Sequence, residues 1–121
     1  MKSQEIQFRL DPPVHANFGG YGECLISQID FHSLRVVSTY SPPVGGKAIL
    51  SLPSPGGSTP LAVEISESQA GCPDTEAIRQ FSGGMVFFMR CHIHELSDDA
   101  RNAIIHLLES NFSRLQPAAG G

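Results

Sequence analysis

The stretch GMVFFMRCHIHELSDDARNAIIHLLES, residues 84–110, changes its periodicity once. Up to His94 the apolar side chains of Val86, Phe87 and Phe88 occupy both parities, the pattern of a strand covered on both faces. Beyond it Leu96, Ala100, Ala103, Ile104, Leu107, Leu108, Phe112 and Leu115 recur at spacings of three and four, the stripe of an amphipathic helix. Ser97 offers a capping hydroxyl, and Asp98 and Asp99 put negative charge at the positive end of the helix dipole. The helix is expected to stop before Pro117 and to leave AAGG as a frayed tail.

Upstream, the chain reads as short strands divided by proline and glycine. Ile6 to Leu10 is expected to form a strand that the following DPP ends, because consecutive prolines supply no backbone donors. FGGYG, Phe18 to Gly22, is a turn whose glycines allow positive backbone dihedrals. Glu23 to Ile29 and Leu34 to Thr39 form a hairpin around a polar break, and SPPVGG, Ser41 to Gly46, is a loop. KAILSL puts Ala48, Leu50 and Leu52 on one face, and LAVEISES alternates Leu61, Val63 and Ile65 with Ala62, Glu64 and Ser66. Between these last two, PSPGGSTP reads as a connector, and AGCPDTEAIRQFSGG reads as a long loop before the final strand. Six strands followed by one helix point to a mainly β fold: a six-stranded antiparallel β-barrel with a C-terminal α-helix lying on it or closing an end.

The chain has 121 residues, which fits one domain over 1–121 with a core of about 5–115 and a flexible tail at 116–121. Hydrophobic residues at 40% and charged residues at 17% describe a globular, turn-rich chain. A formal charge of −4 argues against a binder of nucleic acid polymer, which needs a clustered basic surface. A small anion held by one or two arginines stays open. There is no apolar run long enough to span a membrane, and MKSQEIQF lacks an apolar signal core, so the expected compartment is cytoplasmic. Cys24, Cys72 and Cys91 form an odd set without CxxC spacing and read as reduced thiols.

In order and spacing, the hairpin GECLISQIDFHSLRVVS, the glycine-led VGGKAILSL, the alternating LAVEIS and the late GMVFF strand before a terminal helix together resemble the PilZ domain. The resemblance covers most of the chain. It implies a split-barrel-type fold and a non-enzymatic bacterial signalling or adaptor module of the cyclic di-GMP network, serving motility, type IV pilus or biofilm control. Members that bind cyclic di-GMP use an RxxxR and a D/N-x-S-x-x-G motif, in which arginine forks and a polar hairpin turn hold phosphates and guanine edges. By position the second arginine falls on Arg9, the first on Glu5, and the hairpin motif on Gln28, Asp30 and Ser33, with Arg35 beside it. Glu5 and Asp30 bring carboxylates where cations or neutral donors are wanted, and each lost charge-assisted bond is worth about 1.5–3 kcal/mol. The expectation is weak or lost cyclic di-GMP binding and action through protein partners of pilus, flagellar or biofilm machinery, as a monomer or homodimer and with no cofactor. The alternative is a genuine cyclic di-GMP receptor.

A second alternative uses other residues. In CHIHE, Cys91 to Glu95, His92 and His94 share a strand face at a spacing that can chelate a transition metal, in a small metal-binding protein or enzyme. Two ligands do not complete a site, so exposed histidines at a strand end are the simpler reading. An OB-like single-strand binder is weakened by the acidic balance and the absence of tryptophan. The glycine pairs lack the phosphate-loop form and are read as turns. Ile105, His106, Phe112 and Leu115 widen the apolar face of the terminal helix, which is read as packing on its own barrel, with partner or self contact as the sharper option.

Overall fold

A computed structural model describes residues 8–110 and 116–117 of the chain. The strands are β1 (Phe8–Phe18), β2 (Gly22–Ile29), β3 (Ser33–Ser38), β4 (Lys47–Ser54), β5 (Gly57–Gly71), β6 (Val86–Glu95) and β7 (Gln116–Pro117), with helices α1 (Glu76–Phe81) and α2 (Asp98–Ser110). The sheet runs β2-β3-β6-β5-β4-β1, and the additional β1–β2 pairing closes it into a six-stranded antiparallel barrel. Closure removes the free edges that an open sheet of this size would expose.

Alternation along the strands builds the interior. Leu50 and Leu52 of β4, Leu61, Val63 and Ile65 of β5, and Met89 and Cys91 of β6 are all buried in one cluster, with Phe87 packed against it. Cys24, Ile26 and Ile29 of β2 and Leu34 and Val36 of β3 fill the other wall. Helix α2 begins where the sequence places it: the Ala100 N–H donates to Ser97 Oγ at 3.1 Å. Its buried residues Ala100, Ala103, Ile104 and Leu107 join the barrel cluster, so the helix lies across one mouth of the barrel. At that mouth it reaches from the β4–β5 hairpin tip, beside Asn102 and His106, to the β2–β3 turn, where the Arg101 guanidinium sits 5.7 Å from the Phe31 ring centre. Phe112 and Leu115, expected to extend the stripe, lie outside the described residues.

Four expectations need correction. DPP does not end the first strand: β1 continues to Phe18, and the two prolines fall inside a register shift between Arg9 and Val14 in its pairing with β2. A bulge leaves residues unpaired, so prolines without N–H groups cost no ladder bonds there. PSPGGSTP is not a connector but the tip of a tight hairpin, with Ser54 opposite Gly57 and only Pro55 and Gly56 between them; Gly57 adopts φ 130°, open to glycine alone. The supposed long loop before the last strand is divided between the end of β5, which runs to Gly71, and α1. Gln116 and Pro117, assigned to the tail, pair with Arg9 and Phe8 of β1 as β7; the remaining tail lies outside the described residues.

Helix α1 is the element that shapes the outer surface. Thr75 caps it, its Oγ1 accepting from the Ile78 N–H at 3.3 Å, and Ile78 is its buried residue. With Leu25, Val37 and Val86, and flanked by Phe81 and Phe88, Ile78 forms a second apolar cluster on the outside of the β2–β3–β6 wall. This explains why β6 is apolar on both parities: Phe87 and Met89 point into the barrel, while Val86 and Phe88 point out under α1.

Candidate functional site

Strand register sets the site. On the outer face Arg9 of β1 lies opposite Gln28 of β2, Gln28 lies opposite Arg35 of β3, and Arg35 lies opposite Arg90 of β6. Each faces outward because its strand neighbours face in: Leu10, Ile29, Leu34 and Val36, and Met89 and Cys91 are buried. The bulge at Ser27 of β2 is what returns Gln28 to the outer side after Leu25. Beside this row, under the start of α1, is a cleft of about 310 Å³. Arg9, Ser27, Gln28 and Arg35 form its polar wall, Leu10, Pro13, Val37 and Phe88 its apolar one, and Asp74, Thr75 and Ile78 its α1 side.

Thus three of the five residues expected at the site, Arg9, Gln28 and Arg35, come together. The other two do not line the cleft. Asp30 is 6% exposed, and its Oδ1 accepts from the His32 N–H at 2.6 Å and the Ser33 N–H at 2.7 Å, while its own N–H donates to the Ser33 carbonyl at 3.0 Å. A carboxylate so placed holds the β2–β3 turn in shape, the usual work of aspartate at a turn. Its Oδ2 is buried with no hydrogen-bond partner among the described residues. Ser33 is 1% exposed. Glu5 lies outside the described residues.

Electrostatics on the row are uneven. Arg90 Nη1 lies 4.0 Å from Glu67 Oε2, a loose, solvent-facing contact of small energetic weight, and the Arg90 Nε is buried with no hydrogen-bond partner among the described residues. Among the described residues neither Arg9 nor Arg35 forms an ion pair; Asp74 on the α1 side is the one acid lining the cleft. A larger groove, about 510 Å³, runs past Ile49, Pro60, Ala62, Glu95, Leu96 and Ser97 on the opposite wall. It carries a carboxylate and no cation, so it lacks the donors an anionic ligand needs.

His92 and His94 are both exposed on β6, and His92 stands opposite Ser33 and Glu64. Among the described residues no group of three His, Cys, Asp or Glu side chains is placed to hold a metal ion. Cys24 and Cys91 are buried in the barrel, and burial pushes both thiols up to about 12, with the neighbouring Cys91 and then Glu23 adding to the effect at Cys24. Thiols held protonated in this way are poor nucleophiles. No helix among the described residues is long and apolar enough to cross a membrane.

Sequence reading missed Arg90 and the α1 residues. Arg90 was legible in part, since it alternates with the inward Met89 and Cys91, but its place next to Arg35 depends on the β3–β6 register. For α1 the signal was Thr75 followed by Glu76, a capping residue with an acid in the first turn. Comparison with protein-family models, curated proteins and solved structures finds no match to this chain.

Proposed function

We propose that this chain is a non-enzymatic, PilZ-like adaptor domain of the bacterial cytoplasm, in which the cyclic di-GMP site is degenerate and the work is done by docking to protein partners of pilus, flagellar or biofilm machinery. The observation that carries this reading is the commitment of Asp30 to its own turn. A residue meant to read a guanine edge must present free acceptors or donors to the cleft, and the Asp30 Oδ1 already accepts two backbone N–H groups away from it. Two further features support it. Helix α1 walls the cleft down to about 310 Å³, the low end of pockets that take drug-sized ligands, and it brings Asp74 to the lining, where an anionic phosphate is unwelcome. The motif position that would supply a second arginine carries Glu5.

Titration calorimetry with cyclic di-GMP tests the reading. The native chain gives no saturable heat at ligand concentrations up to about 100 µM, the range in which a binding energy weaker than roughly −5.5 kcal/mol goes undetected. Glu5→Arg, which restores a guanidinium fork, strengthens any residual binding. A low-micromolar, one-to-one isotherm from the native chain overturns the adaptor reading in favour of a receptor.

A further inference from the structure

The register places three arginines in one row across the strands of a protein that is acidic overall. Arg9, Arg35 and Arg90 are three of the eight Lys and Arg residues in a chain of formal charge −4, and they sit in one lateral row with only Gln28 between the first two. Arg35 and Arg90 are direct cross-strand neighbours, a pairing that like charges disfavour. Against them stand Glu67 at the far end and Asp74 in the cleft wall, so the strip stays net positive. The apolar cleft formed by Val37, Ile78 and Phe88 opens beside it.

We propose that this row is the docking surface for an acidic segment of a partner protein, with one apolar side chain of that segment seated in the cleft. The inference rests on the adaptor reading and gives the partner its chemistry. Extent decides between a peptide and a single small anion. Neighbouring strands lie about 4.8 Å apart, so a row crossing β1, β2, β3 and β6 spans roughly 14 Å, the length of about four extended residues. Glu67, 4.0 Å from the Arg90 Nη1, stands opposite it on β5, at the end of the row away from Arg9. One phosphate cannot bridge the whole row, whereas carboxylates spaced along a chain can each meet a guanidinium fork. Gln28, in the middle of the row, offers an amide that can bond the backbone of such a chain.

The probe is a fluorescein-labelled hexapeptide, Glu-Glu-Phe-Asp-Glu-Glu, titrated with the full chain by fluorescence anisotropy at about 50 mM salt, where surface charges are screened less than at physiological strength. Saturable binding is expected, weakening as salt rises, and absent for the peptide in which Gln and Asn replace the acids. Arg35→Gln and Arg90→Gln each lower affinity by about tenfold, the loss of one charge-assisted bond. Arg35→Lys retains part of it, Lys47→Gln on β4 leaves it unchanged, and Asp74→Asn raises it. Circular dichroism of each variant separates lost binding from lost fold. The proposal is overturned if the acidic peptide stays free, if the amide peptide binds equally, or if the arginine variants bind as the native chain does. Binding of inorganic phosphate or cyclic di-GMP through these arginines while the peptide stays free overturns it in favour of a small-anion site. Self-association abolished by Arg35→Gln overturns it in favour of a second copy of the chain. A silent dinucleotide titration together with a free peptide removes this inference alone, while tight dinucleotide binding removes the adaptor reading as well.

Discussion

Asp30, expected from the sequence to meet a ligand, is claimed instead by the backbone of its own turn. Its Oδ1 accepts from two backbone N–H groups of the β2–β3 turn, one of them on Ser33, which is buried. Removing the acceptor therefore acts on the fold: Asp30→Ala is expected to lower unfolding stability by about 2 kcal/mol, the cost of stranding a buried donor, whereas Asp30→Asn, which keeps a carbonyl acceptor, loses clearly less. Urea denaturation of the three proteins checks the ordering. Equal losses for both substitutions would mean that the charge, not the acceptor, holds the turn. From the sequence, Asp30 could be placed in a polar break between strands, but not assigned to turn or ligand. Both roles use the same carboxylate, and only the position of its oxygens separates them.

Among the elements, α1 is the least anchored. Six residues long, it is held by a single cap, by the contact of Ile78 with Leu25, Val37 and Val86 outside the main core, and by the half-buried Phe81, whose ring meets His15 edge-on at 6.3 Å. A helix this short has no stability of its own and persists through packing alone. Ile78→Ala is therefore expected to release α1 locally: hydrogen exchange at the Ile78 and Arg79 amides accelerates at least about tenfold while β5 and β6 amides in the barrel stay protected, as for a local opening distinct from global unfolding. Uniform acceleration across the barrel would show α1 to be part of the global cooperative unit. The brevity of α1 is also why its sequence reads as loop. Ile78 and Phe81 make a single interval of three, too short a run to establish a helical period, and the flanking CPD and SGG are turn signals. Helix α2 was legible for the opposite reason: four buried residues at spacings of three and four, with a serine cap, leave no competing pattern. The first strand was cut short because proline rules assume a regular ladder, and the chain evades them by bulging at the prolines.

At the scale of the molecule, the barrel encloses two thiols and leaves the third outside. Cys24 and Cys91 are buried with their ionisation pushed up to about 12, and Cys72 is exposed. Under native conditions Ellman's reagent should modify one thiol per chain at neutral pH, at Cys72 by mass spectrometry, and three only after unfolding; a second thiol reacting at the native rate would contradict the closed core. Because both buried groups rise above their ordinary value of 9.0, the unfolded chain releases these protons first. Their contribution to stability is complete below about pH 9 and is lost as pH climbs toward about 12, visible as a falling denaturation midpoint in that window.

The six barrel strands and the helix after them were readable because alternation and helical period are local patterns, whereas α1 and β7 were not. The arginine row was not, because residues 9, 28, 35 and 90 become neighbours only through the register of four strands. The distribution of charge on this molecule is consequently a property of the closed sheet. The most direct test is a nitrogen-15 correlation spectrum of the native chain recorded while cyclic di-GMP is added to about 1 mM, the range of the weakest specific binding. The Arg9, Gln28, Arg35 and Thr75 amides are expected to stay in place throughout; saturable shifts confined to those four and their strand neighbours would contradict a degenerate site.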